Sequence, residues 1–171
     1  MTKQTATGRL ADILARYRDI EYGYISDGVR YNTIDTPHFR DKYKLKSKKD
    51  VLRDRLAICL DASRAMAYDL NRAGIPAKEL YMESETGGEY VNPAHSTTIV
   101  DAGTDGVYAL ERGLARKGLI NKFRDMEELL STYSEAVPGG GVARFWYIDK
   151  PIKPGTALLD YMRLAKQREI K

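Results

Sequence analysis

The sequence predicts an α+β fold, in which helices and an antiparallel sheet occupy different stretches of the chain. Two observations lead to this fold class. Apolar residues recur at helical spacing up to residue 73, and their period changes to two beyond Gly74, where short strands follow with helices inserted between them. Strands that alternate regularly with helices, the pattern of a parallel sheet, are not evident. With 171 residues, of which 43% are hydrophobic, we expect a single domain, 1–171, with its own core.

The chain opens with a predicted amphipathic helix over residues 8 to about 20. Its apolar face carries five residues at helical spacing, namely Leu10, Ile13, Leu14, Tyr17 and Ile20. The stretch SDGVRY then predicts a turn, because Asp and Gly are typical of turns. We expect residues 1–20 and, at the other end of the chain, residues 150–171 to form peripheral elements of the domain.

A second, longer helix is predicted from about residue 48 to residue 73. Ser47 followed by Asp50 resembles a capping box, although Asp replaces the preferred Glu. The helical pattern then continues without interruption until Gly74 and Pro76 end it. Cys59, the only cysteine of the chain, therefore lies inside this predicted helix.

Three short strands with an apolar period of two follow the long helix. They are KELYMES (78–84), HSTTIVD (95–101) and GVYALER (106–112). The stretches TGGEYVNPA and AGTDG, which are typical of loops, separate them. The last two strands are close enough in sequence to predict an antiparallel hairpin.

The C-terminal part of the chain predicts two helices on either side of one aromatic strand. Asp125 with Glu128 begins a helix over 126 to about 136, and VPGGG then breaks the chain. VARFWYID is the aromatic strand. A turn with two prolines leads to a closing helix over 156 to about 168, capped by the Thr156 hydroxyl.

Composition argues against several classes of protein. One cysteine cannot form an internal disulfide or a cysteine-rich zinc site, which fits a reducing compartment, so a cytoplasmic location is expected. No stretch has an apolar run long enough for a signal-peptide core or a membrane span, so neither secretion by that route nor membrane insertion is expected.

The net charge is mildly positive, with 28 Lys and Arg against 24 Asp and Glu, a formal charge of +4. The excess is concentrated in residues 40–55, which carry eight basic and three acidic residues. Such a run is usually a solvated face, so contact with nucleic acid is the less favoured interpretation. Together with the C-terminal RLAKQREIK, it supports nucleic-acid binding only as a third, weaker hypothesis.

Three residues, in the order Cys59, His95 and Glu111, have the chemistry of a nucleophile, a base and an orienting acid. A cysteine reacts as its thiolate, which a helix N-terminus and a nearby histidine both favour, and the histidine in turn needs a carboxylate or amide to orient it. His95 starts one predicted strand and Glu111 ends the next, so antiparallel pairing could bring them together. If the helix with Cys59 packs across this hairpin, the three side chains converge.

Each of these residues also has an ordinary structural interpretation. Cys59 shares a helical face with Met66, and free cysteines are among the most often buried residues, so core packing is favoured for Cys59 taken alone. A lone histidine such as His95 more often has a structural or surface role. Glu111 could form a solvated ion pair with Arg112, which contributes little energy. The catalytic interpretation depends on the three residues together, since each lies at the kind of element end that its role requires.

Several segments resemble the transglutaminase-like branch of the papain-like cysteine enzymes. In that branch the nucleophile begins a helix within a Gly-x-Cys-x-Asp/Glu motif, the helix ends at a GIPAR-like turn, and the histidine and acid come from adjacent strands. The matching segments here are CLD at 59–61, RAGIPAK at 72–78, HSTTIV and VYALE. The resemblance implies a papain-like core, in which a Cys-bearing helix packs on an antiparallel sheet, with Cys59 as nucleophile, His95 as base and Glu111 as acid.

More narrowly, four further segments are similar to a group of small transglutaminase-like proteins of bacteria and their phages. The segments are EYGYISDGVRY, YKLKSKKDVL, YALERG and KGLINKFRDMEELL. This resemblance covers residues 21 to about 137. Because the substrates of that group are poorly assigned, it implies a fold and a triad more strongly than a particular reaction.

The sequence departs from the family pattern at three positions. Ala57 stands where a glycine is usual, Leu60 where an aromatic residue often follows the cysteine, and Ser96 where an aromatic residue is common after the histidine. Without the glycine we expect an unbroken helix through Cys59, whereas catalysis requires a helix that begins there. Beside the backbone N–H of Cys59, the candidates for a second oxyanion donor are Tyr22, Tyr24 and Asn32.

These features predict a cysteine-dependent hydrolase or acyltransferase that acts on an amide, peptide or isopeptide bond of a protein or peptide substrate. No metal or organic cofactor is expected, and no oligomeric state is predicted. The alternative is a catalytically inactive scaffold of the same fold that acts as a binding protein, for example a phage or mobile-element protein that engages a host protein. Ala57, Leu60 and the missing second donor motivate that alternative.

Overall fold

The computed structural model describes residues 6–32, 34, 39–84, 94–111, 119–136 and 143–170, and these form an α+β fold. The helices are α1 (Ala6–Leu14), α2 (Phe39–Lys42), α3 (Lys48–Asp54), α4 (Cys59–Arg72), α5 (Met126–Ala136) and α6 (Leu158–Ala165). The strands are β1 (Glu21–Tyr22), β2 (Tyr24–Ser26), β3 (Val29–Tyr31), β4 (Leu56–Ala57), β5 (Lys78–Ser84), β6 (Ala94–Asp101), β7 (Val107–Leu110), β8 (Ile120–Phe123), β9 (Ala143–Ile148) and β10 (Arg168–Ile170). The predicted α+β class is confirmed.

Among the described residues, six strands form one antiparallel sheet in the order β10-β9-β5-β6-β7-β8. In its centre, β5 pairs with β6 so that Met82 lies opposite His95. The predicted hairpin is the β6–β7 pair, in which Asp101 lies opposite Val107. Two small sheets, β1–β4 and β2–β3, lie outside the main sheet.

Helices cover both faces of the main sheet, so successive side chains of β5 enter different cores. Leu80 and Met82 pack with α5 through residues such as Leu129. Tyr81 points to the opposite face and packs with Tyr161 of α6. On that same face, a third cluster joins α1, α3 and α4 to β6 and β7. Because side chains alternate along a strand, a sheet covered on both faces buries its central strands along almost their whole length.

The N-terminal helix is shorter than predicted, because α1 ends at Leu14 and a 3-10 turn, Ala15–Tyr17, follows it. The predicted turn in SDGVRY connects β2 to β3 through Asp27 and Gly28, whose φ angles are 50° and 77°. Two consecutive positive φ values form the tight turn of a two-residue hairpin, for which Asp-Gly is a preferred pair. The turn is therefore confirmed, and the two short strands beside it are an addition to the prediction.

The prediction of one unbroken helix from 48 to 73 is wrong. α3 ends at Asp54, Arg55 adopts a left-handed conformation (φ 51°, ψ 35°), and the extended strand β4 follows before α4 begins at Cys59. Residues 56–58 are all buried, and three consecutive side chains cannot share one face of a helix. An extended segment, which pairs in parallel with β1, buries all three.

The closing helix, α6, is also shorter than predicted, and the predicted cap by Thr156 is wrong. The N-cap residue is Ala157, which has no capping side chain. The Thr156 hydroxyl donates instead to the carbonyl of Lys153 (2.7 Å), within the preceding turn. After α6 the chain forms β10, an edge strand beside β9, which the sequence pattern does not indicate.

The helix predicted over 126–136 is confirmed as α5, and the side chains of Asp125 and Glu128 cap its start. Asp125 Oδ1 accepts from the N–H of Glu128 (2.9 Å), and Glu128 Oε2 accepts from the N–H of Arg124 (2.6 Å). The predicted loops TGGEYVNPA and VPGGG lie outside the described residues, except for Ala94.

At least five of the eight basic side chains in residues 40–55 form ion pairs with described residues. The pairs are Lys42–Asp27, Lys46–Asp54, Lys48–Asp69, Arg53–Asp50 and Arg55–Asp19. Affinity for nucleic acid comes chiefly from basic groups that neutralise phosphates, so this pairing counts against the nucleic-acid hypothesis. In the described part of the chain, no helix combines the length and the apolar character that crossing a membrane requires.

Candidate active site

Cys59 is the first residue of α4, which is the position that a nucleophilic cysteine requires. Ile58 before it is extended (φ −84°, ψ 169°), and its carbonyl accepts the first helical hydrogen bond from Ala62 (3.0 Å). The N–H groups of a first helical turn have no partner within the helix and carry its positive partial charge. Cys59 is partly exposed, so its thiol is accessible at this end of the helix.

The extended segment before Cys59 is held by β1, whose backbone donates to the carbonyls of Arg55 (2.9 Å) and Ala57 (3.1 Å). Gly23, which directly follows β1, lies between Ala57 of β4 and Tyr31 of β3. A Cβ at Gly23 would lie 2.1 Å from the carbonyl oxygen of Tyr31, and its φ of 146° is strained for any other residue. Glycine at position 23 therefore lets the chain pack closely on β3 while its N–H bonds to Ala57, which is buried within β4.

His95 and Glu111 form a hydrogen-bonded pair. His95 is the second residue of β6, and Glu111 directly follows β7. His95 Nε2 donates to Glu111 Oε2, and their side chains are only 11% and 3% exposed. The His95 ring also stacks on Tyr133 of α5, with 6.2 Å between the ring centroids. The β6–β7 pairing thus joins the two predicted residues, and Arg112, the alternative partner of Glu111, lies outside the described residues.

Cys59 lies beside His95, within hydrogen-bonding reach of its ring. Burial by itself would lower the pKa of His95, but the neighbouring Cys59 and then Glu111 raise this pKa to about 10. Because Nε2 is bonded to Glu111, Nδ1 is the ring nitrogen that remains for the sulfur. His95 therefore lies between a carboxylate and a sulfur atom, and both partners favour its protonated form.

The three side chains line one pocket, which lies between α4, the end of the β6–β7 hairpin and the segment after α1. Of the three candidate oxyanion donors, Tyr22 lines the same pocket. Tyr24 lies instead in an aromatic cluster, 5.0 Å from the ring of Tyr31, and Asn32 is exposed beyond β3. Tyr22 is therefore the candidate that the fold brings to the nucleophile.

A buried carboxylate holds the first turn of α4 in place. Asp61 is fully buried, accepts from the Tyr43 hydroxyl and from the N–H of Lys46 (2.9 Å), and lies 3.5 Å from the guanidinium of Arg64. Burial raises the pKa of Asp61 to about 6, against the opposing effects of Tyr43 and Arg64. The cluster ties the segment before α3 to the turn that carries the cysteine.

A second buried carboxylate, Glu79 of β5, links α4 to β6 and α6. It accepts hydrogen bonds from Tyr161 (2.5 Å), Ser96 (2.9 Å) and Ser63 (3.1 Å). Ser63 lies one helical turn after the cysteine, and Ser96 directly follows the histidine. Burial raises the pKa of Glu79. A Phe side chain at position 96 could not make these bonds, so this buried site favours a small hydroxyl residue.

Sequence reasoning does not identify the residues that support the triad, namely Tyr43, Arg64 and Tyr133. Tyr43 and Asp61 are 18 residues apart, and no local pattern marks such a contact. The helix break does have a signal, since LAICL at 56–60 is a run of five apolar residues. Such a run is wider than one helical face and is typical of a buried extended segment.

In the parts of the chain that the structure describes, no group of three or more His, Cys, Asp and Glu side chains could hold a metal ion. The groups that do converge are a thiol, an imidazole and a carboxylate, which are the groups used in nucleophilic acyl transfer. In comparisons with known proteins, the chain matches no family model and no curated protein.

Proposed function

We propose that this protein is a cysteine-dependent hydrolase or acyltransferase that acts on an amide, peptide or isopeptide bond. Cys59 is the nucleophile, His95 the acid and base, and Glu111 the group that orients the imidazole. The observation that carries the proposal is the start of a helix at Cys59 beside a buried His95–Glu111 pair. Burying such a pair costs desolvation energy, and strongly shifted pKa values in a pocket are typical of functional sites.

The reaction begins from a thiolate and an imidazolium, formed when the thiol proton moves to His95. The Cys59 sulfur attacks the carbonyl carbon, so that a C–S bond forms and the carbonyl oxygen becomes an oxyanion. The imidazolium then protonates the leaving amine as the C–N bond breaks, which leaves a thioester on Cys59. Water or an acceptor amine attacks the thioester with neutral His95 as the base, and the acyl group departs.

The oxyanion needs hydrogen-bond donors at the point where its charge develops. The N–H of Cys59 supplies one donor, since it belongs to the first turn of α4. We assign the second donor to Tyr22, which lines the same pocket. Glu111 occupies Nε2 of His95, so that Nδ1 faces the sulfur and the imidazolium is stabilised.

The same features support placing the fold in the transglutaminase-like branch of the papain-like enzymes. A cysteine begins a helix that packs on an antiparallel sheet, and the histidine and acid come from adjacent strands. Ala57 does not prevent the helix from beginning at Cys59, which removes the main reason for proposing an inactive scaffold. Leu60, where an aromatic residue is common, packs in the aromatic cluster.

Alkylation by iodoacetamide tests the proposal, because Cys59 is the only cysteine and every modified chain reports on it. The rate near pH ~6 is measured by mass spectrometry for the native protein, for His95→Ala and for the protein unfolded in urea. A free thiol is almost entirely protonated at this pH. We therefore expect the native protein to react about tenfold faster than the unfolded chain, or more.

His95→Ala should remove this acceleration while its circular dichroism spectrum stays that of the native protein. His95→Gln, which fills most of the same space, separates loss of the imidazole from the effect of a cavity. If Cys59 reacts no faster than an unfolded thiol, or if both histidine variants react like the native protein, the activated pair does not exist. The scaffold that acts as a binding protein would then be favoured.

A further inference from the structure

We propose that the pocket at Cys59 selects an acyl group with a small aliphatic side chain, of about the size found in valine or leucine. The acyl donor would then be a peptide or ester whose residue at the scissile carbonyl is of this kind. The inference rests on the proposed function, because it assigns the acyl-binding part of the same site.

One face of α4 forms a continuous wall of the pocket. Its residues at spacings of three and four line the pocket in order, from Cys59 through Ala62 and Ser63 to Met66. Cys59 is partly exposed, whereas Met66 is only 2% exposed. The pocket therefore leads from the nucleophile into the protein, and a side chain attached beside the attacked carbonyl would extend along Ala62 and Met66.

The walls that face α4 are largely apolar, with Ile20, Leu110 and Leu119. Most of the polar side chains around the pocket are already engaged within the chain. The hydroxyl oxygens of Ser63 and Ser96 lie 2.9 Å apart, and both hydroxyls donate to Glu79. The hydroxyl of Tyr17 donates to Asp69 (2.7 Å), and Glu21 accepts from Arg30 (2.7 Å). A bound group therefore meets mainly apolar surface beyond the reacting residues, which favours a hydrocarbon side chain.

The volume of the pocket, about 40 Å³, determines the size of that side chain. One water-sized group needs about 10–15 Å³, so the pocket accepts about three such groups. This corresponds to the branched side chains of valine and leucine, and an aromatic ring is too large. Each buried methylene group improves binding by about fourfold, so these side chains are also favoured over that of alanine.

A series of p-nitrophenyl esters tests the inference under single-turnover conditions, with acetate, butyrate, isovalerate, octanoate and phenylacetate as acyl groups. The Cys59 sulfur forms a bond to the carbonyl carbon, the ester C–O bond breaks, and p-nitrophenolate leaves with the electron pair. Its absorbance gives the acylation rate, and mass spectrometry locates the acyl group. Cys59→Ala supplies the blank, and each rate is divided by that of N-acetylcysteine to remove the intrinsic reactivity of the ester.

After this correction, we expect isovalerate to react about tenfold faster than acetate, or more, and faster than octanoate and phenylacetate. Two partly exposed wall residues give variants with opposite effects on the size of the pocket. Leu119→Ala enlarges it and should move the preference towards octanoate, whereas Ala62→Leu fills it and should move the preference towards acetate. Leu159→Ala, on the exposed side of α6, is the control that should keep the native order.

Equal corrected rates for all esters would overturn the inference, and so would an unchanged order in both wall variants that retain the native circular dichroism spectrum. Either result, with rapid alkylation of Cys59 by iodoacetamide, leaves the proposed nucleophile intact. Failure of every ester to acylate Cys59 would also overturn the inference. Slow alkylation by iodoacetamide in that case would overturn the proposed function as well.

Discussion

Among single residues, His95 connects the geometry of the site to its reactivity. Its ring lies between Glu111 and Cys59, and these two partners raise its pKa to about 10 although burial acts in the opposite direction. The ordinary value is about 6.5. The carboxylate of Glu111 and the sulfur of Cys59 both favour the protonated imidazole.

Glu111→Gln removes the negative charge while keeping the size and the hydrogen-bonding capacity of the side chain. We expect the pKa of His95 to fall towards its ordinary value, because the imidazolium loses its anionic partner. An NMR titration of the histidine rings measures this change, and His38, the only other histidine, provides an internal reference.

Glu127→Gln, on the exposed side of α5, is the matched control for this titration, and it should leave the His95 midpoint unchanged. Alkylation of Cys59 near pH ~6 should slow in Glu111→Gln and stay at the native rate in Glu127→Gln. If His95 has the same titration midpoint in the native protein, Glu111→Gln and Glu127→Gln, then Glu111 does not stabilise the imidazolium.

Among the structural elements, the extended segment between α3 and α4 decides whether Cys59 can act. The left-handed Arg55 ends α3, β4 pairs with β1, and α4 begins afresh at Cys59. Gly23 donates its N–H to Ala57 of β4 (3.1 Å) and packs on β3, where a Cβ would lie 2.1 Å from the carbonyl oxygen of Tyr31. The segment that precedes Cys59 is therefore bonded to a glycine 36 residues before the cysteine in the sequence.

Gly23→Ala and Gly28→Ala form a matched pair that tests this dependence. Both glycines have positive φ, but a Cβ at Gly28 meets nothing within 4 Å. Gly28→Ala should cost about 1 kcal/mol, which is the cost of the backbone conformation alone. Gly23→Ala should destabilise the folded protein by about 2 kcal/mol more, because residue 23 and the Tyr31 carbonyl must also move apart. Urea unfolding measures both, and equal losses would contradict the close contact.

The sequence pattern predicts those elements whose stability is local. α5 is capped by Asp125 and Glu128, β5 has the predicted bounds 78–84, and the Asp-Gly turn between β2 and β3 has its own signal. The break before α4 was not predictable from helical periodicity, because Arg55 is an unusual residue for a left-handed conformation. The extended form of β4 depends on pairing with β1, which is distant in sequence. The edge strands β8 and β10 likewise depend on neighbours supplied by the main sheet.

In the whole molecule, two buried carboxylates hold the parts of the site together. Glu79 joins β5, β6, α4 and α6, and Asp61 joins the first turn of α4 to the segment before α3. Arg64, beside Asp61, also donates to the carbonyl of Ile152 (3.2 Å) near the C-terminal helix. Segments that precede and follow α4 in the sequence therefore both contact the helix that begins at Cys59.

The stability of the molecule should depend on pH through Asp61. Burial raises its folded-state pKa to about 6 from 3.8, so the folded protein binds this proton more tightly than the unfolded chain. The corresponding contribution to stability is fully present below about pH 3.8 and is lost as the pH rises through about 6. It amounts to about 2 kcal/mol between pH ~4 and pH ~7.

Asp61→Asn removes this titrating group and keeps its shape. We measure the free energy of unfolding in urea for both proteins from pH ~4 to pH ~7. Over this range the native protein should lose about 2 kcal/mol relative to the variant, because only the native protein has the buried titrating group. Asp160→Asn, at an exposed position of α6, is the control. Parallel pH profiles for native protein and Asp61→Asn would contradict the burial of a titrating carboxyl group at this site.

The candidate site was predictable only in its chemistry. The sequence predicted the order Cys59, His95, Glu111. It also predicted that His95 and Glu111 lie at the ends of two strands, and that these strands form an antiparallel hairpin. The buried supports could not, because Tyr43, Arg64 and Tyr133 reach the site through contacts between distant segments. The size of the pocket could not be predicted either, because its walls come from segments that are far apart in the sequence.

The ultraviolet absorbance of a thiolate is the simplest direct measure of the proposed Cys59–His95 ion pair. With one cysteine in the chain, the difference spectrum between native protein and Cys59→Ala reports on a single sulfur. At pH ~6 we expect a thiolate absorbance in the native protein that is absent from His95→Ala. A native spectrum without thiolate until the pH approaches about 8.5, the value for a free thiol, would contradict the proposed nucleophile.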